Sequence, residues 1–263
     1  MISFDTIRSF YPEYMRDNPQ YFKYMLKEYL QLMMLDYLAT TSYIRKINFI
    51  GGTCLRLLMG IDRFSEDLDF DCKNFSREDF MEMTEATGTF LSRAGWNVVV
   101  KDSTSDRLHA FRRNLYFPEL MYRLGLSPHR EERFLIKIEC QDQGVIYPSR
   151  TDYIKGCGFF FPFPVPPAEV LCSMKLAAMF LRQKGRDFYD AMFLLSRTRP
   201  DYEFLSEKCG ISNLQELKVQ ATDLFRKVDL KSKKRDFEHL LFNRSGSERI
   251  LLMDAFFKTL QEA

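Results

Sequence analysis

The chain has 263 residues, 46% of them apolar and 28% charged, enough to bury a sizeable core as one large domain or two small ones. Lys+Arg 38 against Asp+Glu 36 leaves a net charge of +2, which excludes bulk attraction to nucleic acid and leaves any RNA contact to a local patch. No apolar run reaches the roughly 18 residues of a membrane span, and Cys54, Cys72, Cys140, Cys157, Cys172 and Cys209 lack metal-binding spacing; without a signal peptide, these thiols read as core filler in a cytoplasmic protein.

In chain order, residues 20–40 recur apolar at helical spacing through Tyr21, Met25, Tyr29, Leu32, Met33 and Tyr37, which predicts a helix. Residues 42–45 lead into a strand at 46–50. Gly51-Gly52-Thr53 then opens a helical pattern, and a second strand is expected at 66–72. Ser76 and Asp79 form a capping-box pattern for a helix to Arg93, stopped by Gly95. Strands follow at 96–101, 110–117 and 133–141, with extended segments at 143–147 and 158–165. After Pro166-Pro167 the patterning turns helical, at 168–183, 187–197, 213–227, 232–242 and 247–260. This order predicts an α/β (α+β) fold: a mixed sheet flanked by helices over 1–165, with its N-terminal helix, and a helical bundle over 166–263.

The most informative stretch is Glu66-Asp67-Leu68-Asp69-Phe70. In a strand, Asp67 and Asp69 share one face while Leu68 and Phe70 take the other. Two neighbouring carboxylates repel unless a cation or water lies between them. Upstream, a strand, a small-residue turn and a helix N-terminus around Gly51, Gly52 and Thr53 form an anion site. Phosphate binder first and paired acids next suits metal-assisted phosphoryl or nucleotidyl transfer. A third acid is available in Lys137-Ile138-Glu139, where alternation puts Lys137 and Glu139 on one face; the competing reading is a solvated Lys–Glu edge. With Glu139 as third ligand, Mg²⁺ is the expected ion, and two ions about 3.5–4 Å apart could clamp an in-line attack at the α-phosphate.

GGTCLRL followed by RFSEDLDF resembles the first signature of the AbiEii/AbiGii family, nucleotidyltransferase-like toxins related to DNA polymerase beta, and the Arg63-Phe64-Ser65 insertion matches that family's spacing. Residues 169–190 resemble its second block, a Lys-Leu-x-Ala helix followed by Arg and Arg-Asp-x-x-Asp. The resemblance covers most of 25–195. It implies a catalytic domain over 1–165, closed over its nucleotide cleft by the helical domain 166–263.

Within the second block, Lys175 and Arg182 lie about two turns apart on one helix face, and Lys184-Gly185 is expected to end that helix with Gly185 at C′. Lys175 sits in an apolar context, so its ammonium needs a partner, and a nucleotide phosphate would serve. The resemblance implies functional roles for this lysine and for one of Asp187 and Asp190. The alternative is an ion-pair network joining two helices, Arg182 or Arg186 with Asp187 or Asp190. A further basic cluster, Arg107, His109, Arg112, Arg113, Arg123, His129, Arg130 and Arg133, reads as an RNA-guiding rim or a solvated face.

The expected activity is therefore Mg²⁺-dependent transfer of a nucleoside monophosphate from an NTP. Gly51, Gly52 and Thr53 hold its phosphates, with Arg63 and Ser65 steadying them. Asp67, Asp69 and Glu139 bind metal, and Lys175, Arg182, Asp187 and Asp190 complete the set. The resemblance implies the toxin of a type IV-like toxin–antitoxin or phage abortive-infection pair, with RNA (tRNA) or a protein hydroxyl as acceptor and a separately encoded antitoxin as partner. The alternatives are a non-catalytic nucleotide- or RNA-binding module, or a small-molecule (antibiotic) nucleotidyltransferase.

Overall fold

A computed structural model describes residues 2–102 and 110–261; Arg107 and His109 of the basic cluster lie outside the described residues. The chain divides into two compact units, one of Met1–Gly60, Phe64–Gly144 and Ser149–Val165, the other of Ile61–Arg63, Val145–Pro148 and Pro166–Ala263.

The first unit begins with α1 (Phe4–Ser9), α2 (Glu13–Arg16) and the long α3 (Pro19–Ala39). Then come β1 (Ile47–Ile50), α4 (Gly51–Met59), β2 (Leu68–Cys72), α5 (Arg77–Arg93), β3 (Val99–Asp102), β4 (Phe111–Tyr116), α6 (Leu120–Arg123), β5 (Leu135–Gln141), β6 (Arg150–Gly156) and β7 (Phe159–Val165). Among the described residues, β1 to β5 form a five-stranded sheet in the order β1-β2-β5-β4-β3. Its β2–β5 pair is parallel and the others are antiparallel. The expected mixed sheet with flanking helices is therefore present.

Alternation along the strands separates the two faces of this sheet. Phe49, Leu68, Phe70, Leu115, Ile136, Ile138 and Cys140 are fully or almost fully buried, while Asp69, Arg112, Lys137 and Glu139 share the opposite, partly exposed face. Helix α5 starts with the capping box: the Asp79 amide donates to the Ser76 hydroxyl at 3.1 Å and the Ser76 amide to the Asp79 carboxylate at 3.1 Å.

Segment 143–147, expected to be extended, carries no regular strand; the partner of β7 is β6. Cys157 and Gly158 both have positive φ, 46° and 85°, as a two-residue turn matching the right-handed strand twist demands. The hairpin is thus specified by its turn, not by the apolarity of the residues before it.

The second unit contains α7 (Ala168–Leu181), α8 (Gly185–Leu195), α9 (Tyr202–Cys209), α10 (Leu214–Lys227), α11 (Leu230–Phe237) and α12 (Met253–Thr259), with α7 packed on α8 and α9, and α11 on α8. Helix α9 lacks a clear apolar repeat but is capped by Asp201, whose carboxylate accepts from the Phe204 amide at 2.9 Å. The expectation of Gly185 at C′ is corrected. Helix α7 ends at Leu181, Gln183 takes the left-handed conformation with φ 57°, and Gly185 opens α8. A Cβ there would stand 1.9 Å from the Lys233 carbonyl oxygen, so this glycine serves the close approach of α11 to α8.

Candidate active site

The strand–turn–helix at 47–59 lies where the anion motif predicts it. Gly51 follows β1 directly with φ 79°, a conformation L side chains rarely adopt, and Ile50 at the N-cap gives α4 no side-chain hydrogen bond. A Cβ on Gly51 would fall 2.2 Å from Asp69 Oδ2. The absent side chain is what lets the Asp69 carboxylate lie against the start of α4. The phosphate-type turn and the second acid of the pair are therefore neighbours.

Thr53 is 1% exposed, and its hydroxyl donates to the Asp67 carbonyl at 2.5 Å. This hydrogen bond ties α4 to the residue entering β2. Asp67 precedes the first residue of that strand, Leu68, so its position depends on this tether. Ser65 is 8% exposed and its carbonyl accepts from Gln31 Nε2 at 3.2 Å, which fixes the approach to the acidic strand.

Asp69 stands in register with Glu139 across the parallel β2–β5 pair, as expected of a third acid. The Glu139 carboxylate is nevertheless taken up by cations. Arg112, its register partner on β4, donates from Nε at 2.7 Å and from Nη2 at 2.9 Å. Lys137 Nζ is 3.6 Å from Glu139 Oε2 and 3.1 Å from Asp67 Oδ2. Burial alone would raise the Glu139 pKa, but the Arg112 hydrogen bond and the Lys137 charge outweigh it and hold the group below the usual carboxylate range. Burial likewise opposes charge on Lys137, and Asp67 and Glu139 reverse it, raising its pKa.

Among the described residues no group of three or more His, Cys, Asp or Glu side chains is placed to hold a metal ion. A three-carboxylate, two-ion centre therefore does not fit this arrangement. Asp67, entering β2, and Asp69, on it beside the Gly51 turn, have the chemistry to hold one hard divalent ion. Arg112 and Arg113 take opposite faces, as alternation requires. Arg113 reaches the Asp102 carboxylate at 2.8 Å and the Thr84 hydroxyl of α5 at 3.1 Å, away from the acids.

The second unit holds the remaining predicted residues in two clusters. Arg63 belongs to the second unit. Its segment pairs with Leu241, and its guanidinium, 0% exposed, donates to Asp190 from Nε at 2.7 Å and Nη2 at 2.6 Å. Lys175 Nζ lies 2.9 Å from the same carboxylate. Asp190 is fully buried; desolvation would raise its pKa, but Arg63 and Lys175 prevail and hold it well below the ordinary value. Of the two candidate aspartates, Asp190 is thus the one joined to the motif lysine. Asp187 instead accepts from the Lys184 amide at 3.0 Å and from Arg182 Nε at 3.0 Å. That pair is the helix-hairpin joint anticipated as the alternative for Arg182 and Asp187. Arg63's partner could not be read from sequence because the two residues lie 127 positions apart.

No described helix is long and apolar enough to cross a membrane. No match was found among curated proteins. Three solved structures are similar in fold. JHP933 from Helicobacter pylori shares 22% identity with TM-score 0.54 over 89% of this chain and 90% of that one. The nucleotidyltransferase toxin MenT4 from Mycobacterium tuberculosis shares 19% with TM-score 0.63 over 99% and 91%. A putative nucleotidyltransferase from H. pylori shares 20% with TM-score 0.53 over 91% and 98%. Residues 34–243 match the family model described as nucleotidyl transferase AbiEii toxin, type IV TA system, so the chain belongs to the AbiEii family of nucleotidyltransferase toxins.

Proposed function

We propose that this nucleotidyltransferase moves a nucleoside monophosphate from an NTP to a hydroxyl of an RNA, with tRNA foremost, or of a protein. In this reading it acts in the cytoplasm as the toxin of a toxin–antitoxin or abortive-infection pair, restrained by a separately encoded antitoxin. The observation that carries the reading is the Asp69 carboxylate against Gly51 at the start of α4. It puts an anion-binding helix start beside an acid that can hold a cation, the two needs of a triphosphate substrate.

The Gly51 and Gly52 amides would receive the β- and γ-phosphates at the positive end of α4. Mg²⁺ held by Asp67 and Asp69 would withdraw charge from the triphosphate. Thr53 keeps Asp67 in place through its carbonyl, and Glu139 with Arg112 and Lys137 fixes the floor of the acidic face. Lys175, whose ammonium Asp190 fixes, is the helical unit's proposed phosphate cation. No side-chain nucleophile is needed, because the acceptor supplies the hydroxyl.

The test incubates the protein with each α-labelled NTP, Mg²⁺ and total RNA or cell protein, beside Asp69→Ala and Lys175→Ala. Label should enter a macromolecule with wild type alone. Equal labelling by all three proteins, or by none, refutes the reading.

A further inference from the structure

Three carboxylates and two cations crowd one face of the sheet. Asp67, Asp69 and Glu139 carry three negative charges, and Lys137 and Arg112 return two positive ones. Each of these cations touches an acid: Lys137 Nζ is 3.1 Å from Asp67 and 3.6 Å from Glu139, and Arg112 binds Glu139 through two nitrogens at 2.7 and 2.9 Å. The side chains of Asp67, Glu139 and Lys137 are 22%, 18% and 28% exposed, so the contacts are only partly screened by water. Strand pairing builds them in. Arg112 and Glu139 are register partners, Glu139 is opposite Asp69, and Lys137 is two residues before Glu139 on the same face.

We infer that Lys137 stands in for a second metal ion, so that the acidic face takes a single divalent cation on Asp67 and Asp69 while Glu139 anchors cations of the protein itself. The inference deepens the proposed function and rests on its metal-assisted chemistry. Charge balance is the physical reason. Two divalent ions would bring four positive charges to a face whose net charge is already only minus one. An ion bridging Asp67 and Glu139 would have to displace an ammonium already hydrogen-bonded there. Lys137 acts through these acids, as a positioning residue that sets how many ions the face accepts and how tightly. Its repulsion of a divalent ion keeps the empty face from loading metal strongly before the nucleotide brings its own charge.

The test is Mn²⁺ binding to the full-length protein without nucleotide, followed by electron paramagnetic resonance of the free ion and by calorimetry. Wild type should bind at most one Mn²⁺, and weakly. Lys137→Met should bind Mn²⁺ at least about thirtyfold more tightly, the factor expected from removing a unit charge about 4 Å from a divalent ion even at the dielectric of water. Lys137→Arg, which keeps the cation, should bind like wild type, a result that loss of packing alone would not give. Lys137→Gln carries the same expectation as Lys137→Met if that variant does not fold. Two ions per wild-type chain, tightening of less than threefold in the neutral variants, or no Mn²⁺ binding by any of these proteins overturns the inference. If labelled nucleotide is still transferred by wild type and lost in Asp69→Ala, the proposed function survives that outcome, so the two fail separately.

Discussion

Asp190→Asn is the sharpest probe of the helical unit. The substitution keeps the side chain's shape and one carbonyl oxygen but places an NH₂ group, or a single neutral acceptor, where Arg63 and Lys175 now donate at 2.6 to 2.9 Å. With Arg63 0% and Lys175 7% exposed, neither cation can turn to water for compensation. Removing one partner of such a buried pair costs about 3–5 kcal/mol, much of it the desolvation left unmatched on the survivors. Against a total stability of about 5–15 kcal/mol that is a large share. With a urea slope of about 2–3 kcal/mol per molar, the midpoint should fall by about 1–2.5 M. Far-UV circular dichroism reads it, because this unit is built of helices. Trp96, the only tryptophan and buried in the first unit, provides a separate fluorescence readout. Arg63→Met added to Asp190→Asn should recover part of the loss by removing one of the two stranded cations, a non-additivity of about 0.5–3 kcal/mol. A midpoint within about 0.2 M of wild type would show that the Arg63–Asp190–Lys175 triad is not what holds these elements together.

The same carboxylate sets a pH dependence. Its folded pKa lies below the ordinary value of about 3.9, so its contribution is complete above that value and drains away as pH falls through it toward the folded pKa. Urea midpoints from pH 6 down to the acid limit should drop more steeply for wild type than for Asp190→Asn below about pH 4. Gly51→Ala should cost about 1–2 kcal/mol for its left-handed backbone alone and push Asp69 aside, so labelled-nucleotide transfer should fall far more than thermal stability does. Gly185→Ala brings a methyl group against the Lys233 carbonyl and should destabilise the helical unit by about 1–3 kcal/mol; a melting temperature equal to wild type would contradict the close approach of α11.

Local chemistry carried much of the reading. The Gly51-Gly52 turn between an apolar strand and a helix, the alternation that puts Asp69 opposite the core residues Leu68 and Phe70, and the Ser76–Asp79 cap are all written within a few neighbouring residues, where backbone sterics and side-chain period decide the outcome. The expectation that the Glu139 strand lies beside the acidic strand is met by β5 and β2, but the Arg112 partner of Glu139 on β4 was not legible, because that second pairing depends on which strands the whole core brings together. Pairing with β4 brought Arg112 to Glu139, and pairing with β2 brought Lys137 to Asp67, so three acids and two cations stand where a three-acid metal cage was expected.

The sequence by itself determined the family, the anion-binding turn and the paired acids, since each is a contiguous motif whose geometry follows from its own backbone. Tertiary structure alone decided where the long cations end. Arg63, near the acids along the chain, pairs with Asp190 within the second unit, and Thr53 turns its hydroxyl to a backbone carbonyl. A buried charge takes whichever opposite charge folding places within reach, and distance along the chain does not limit that choice.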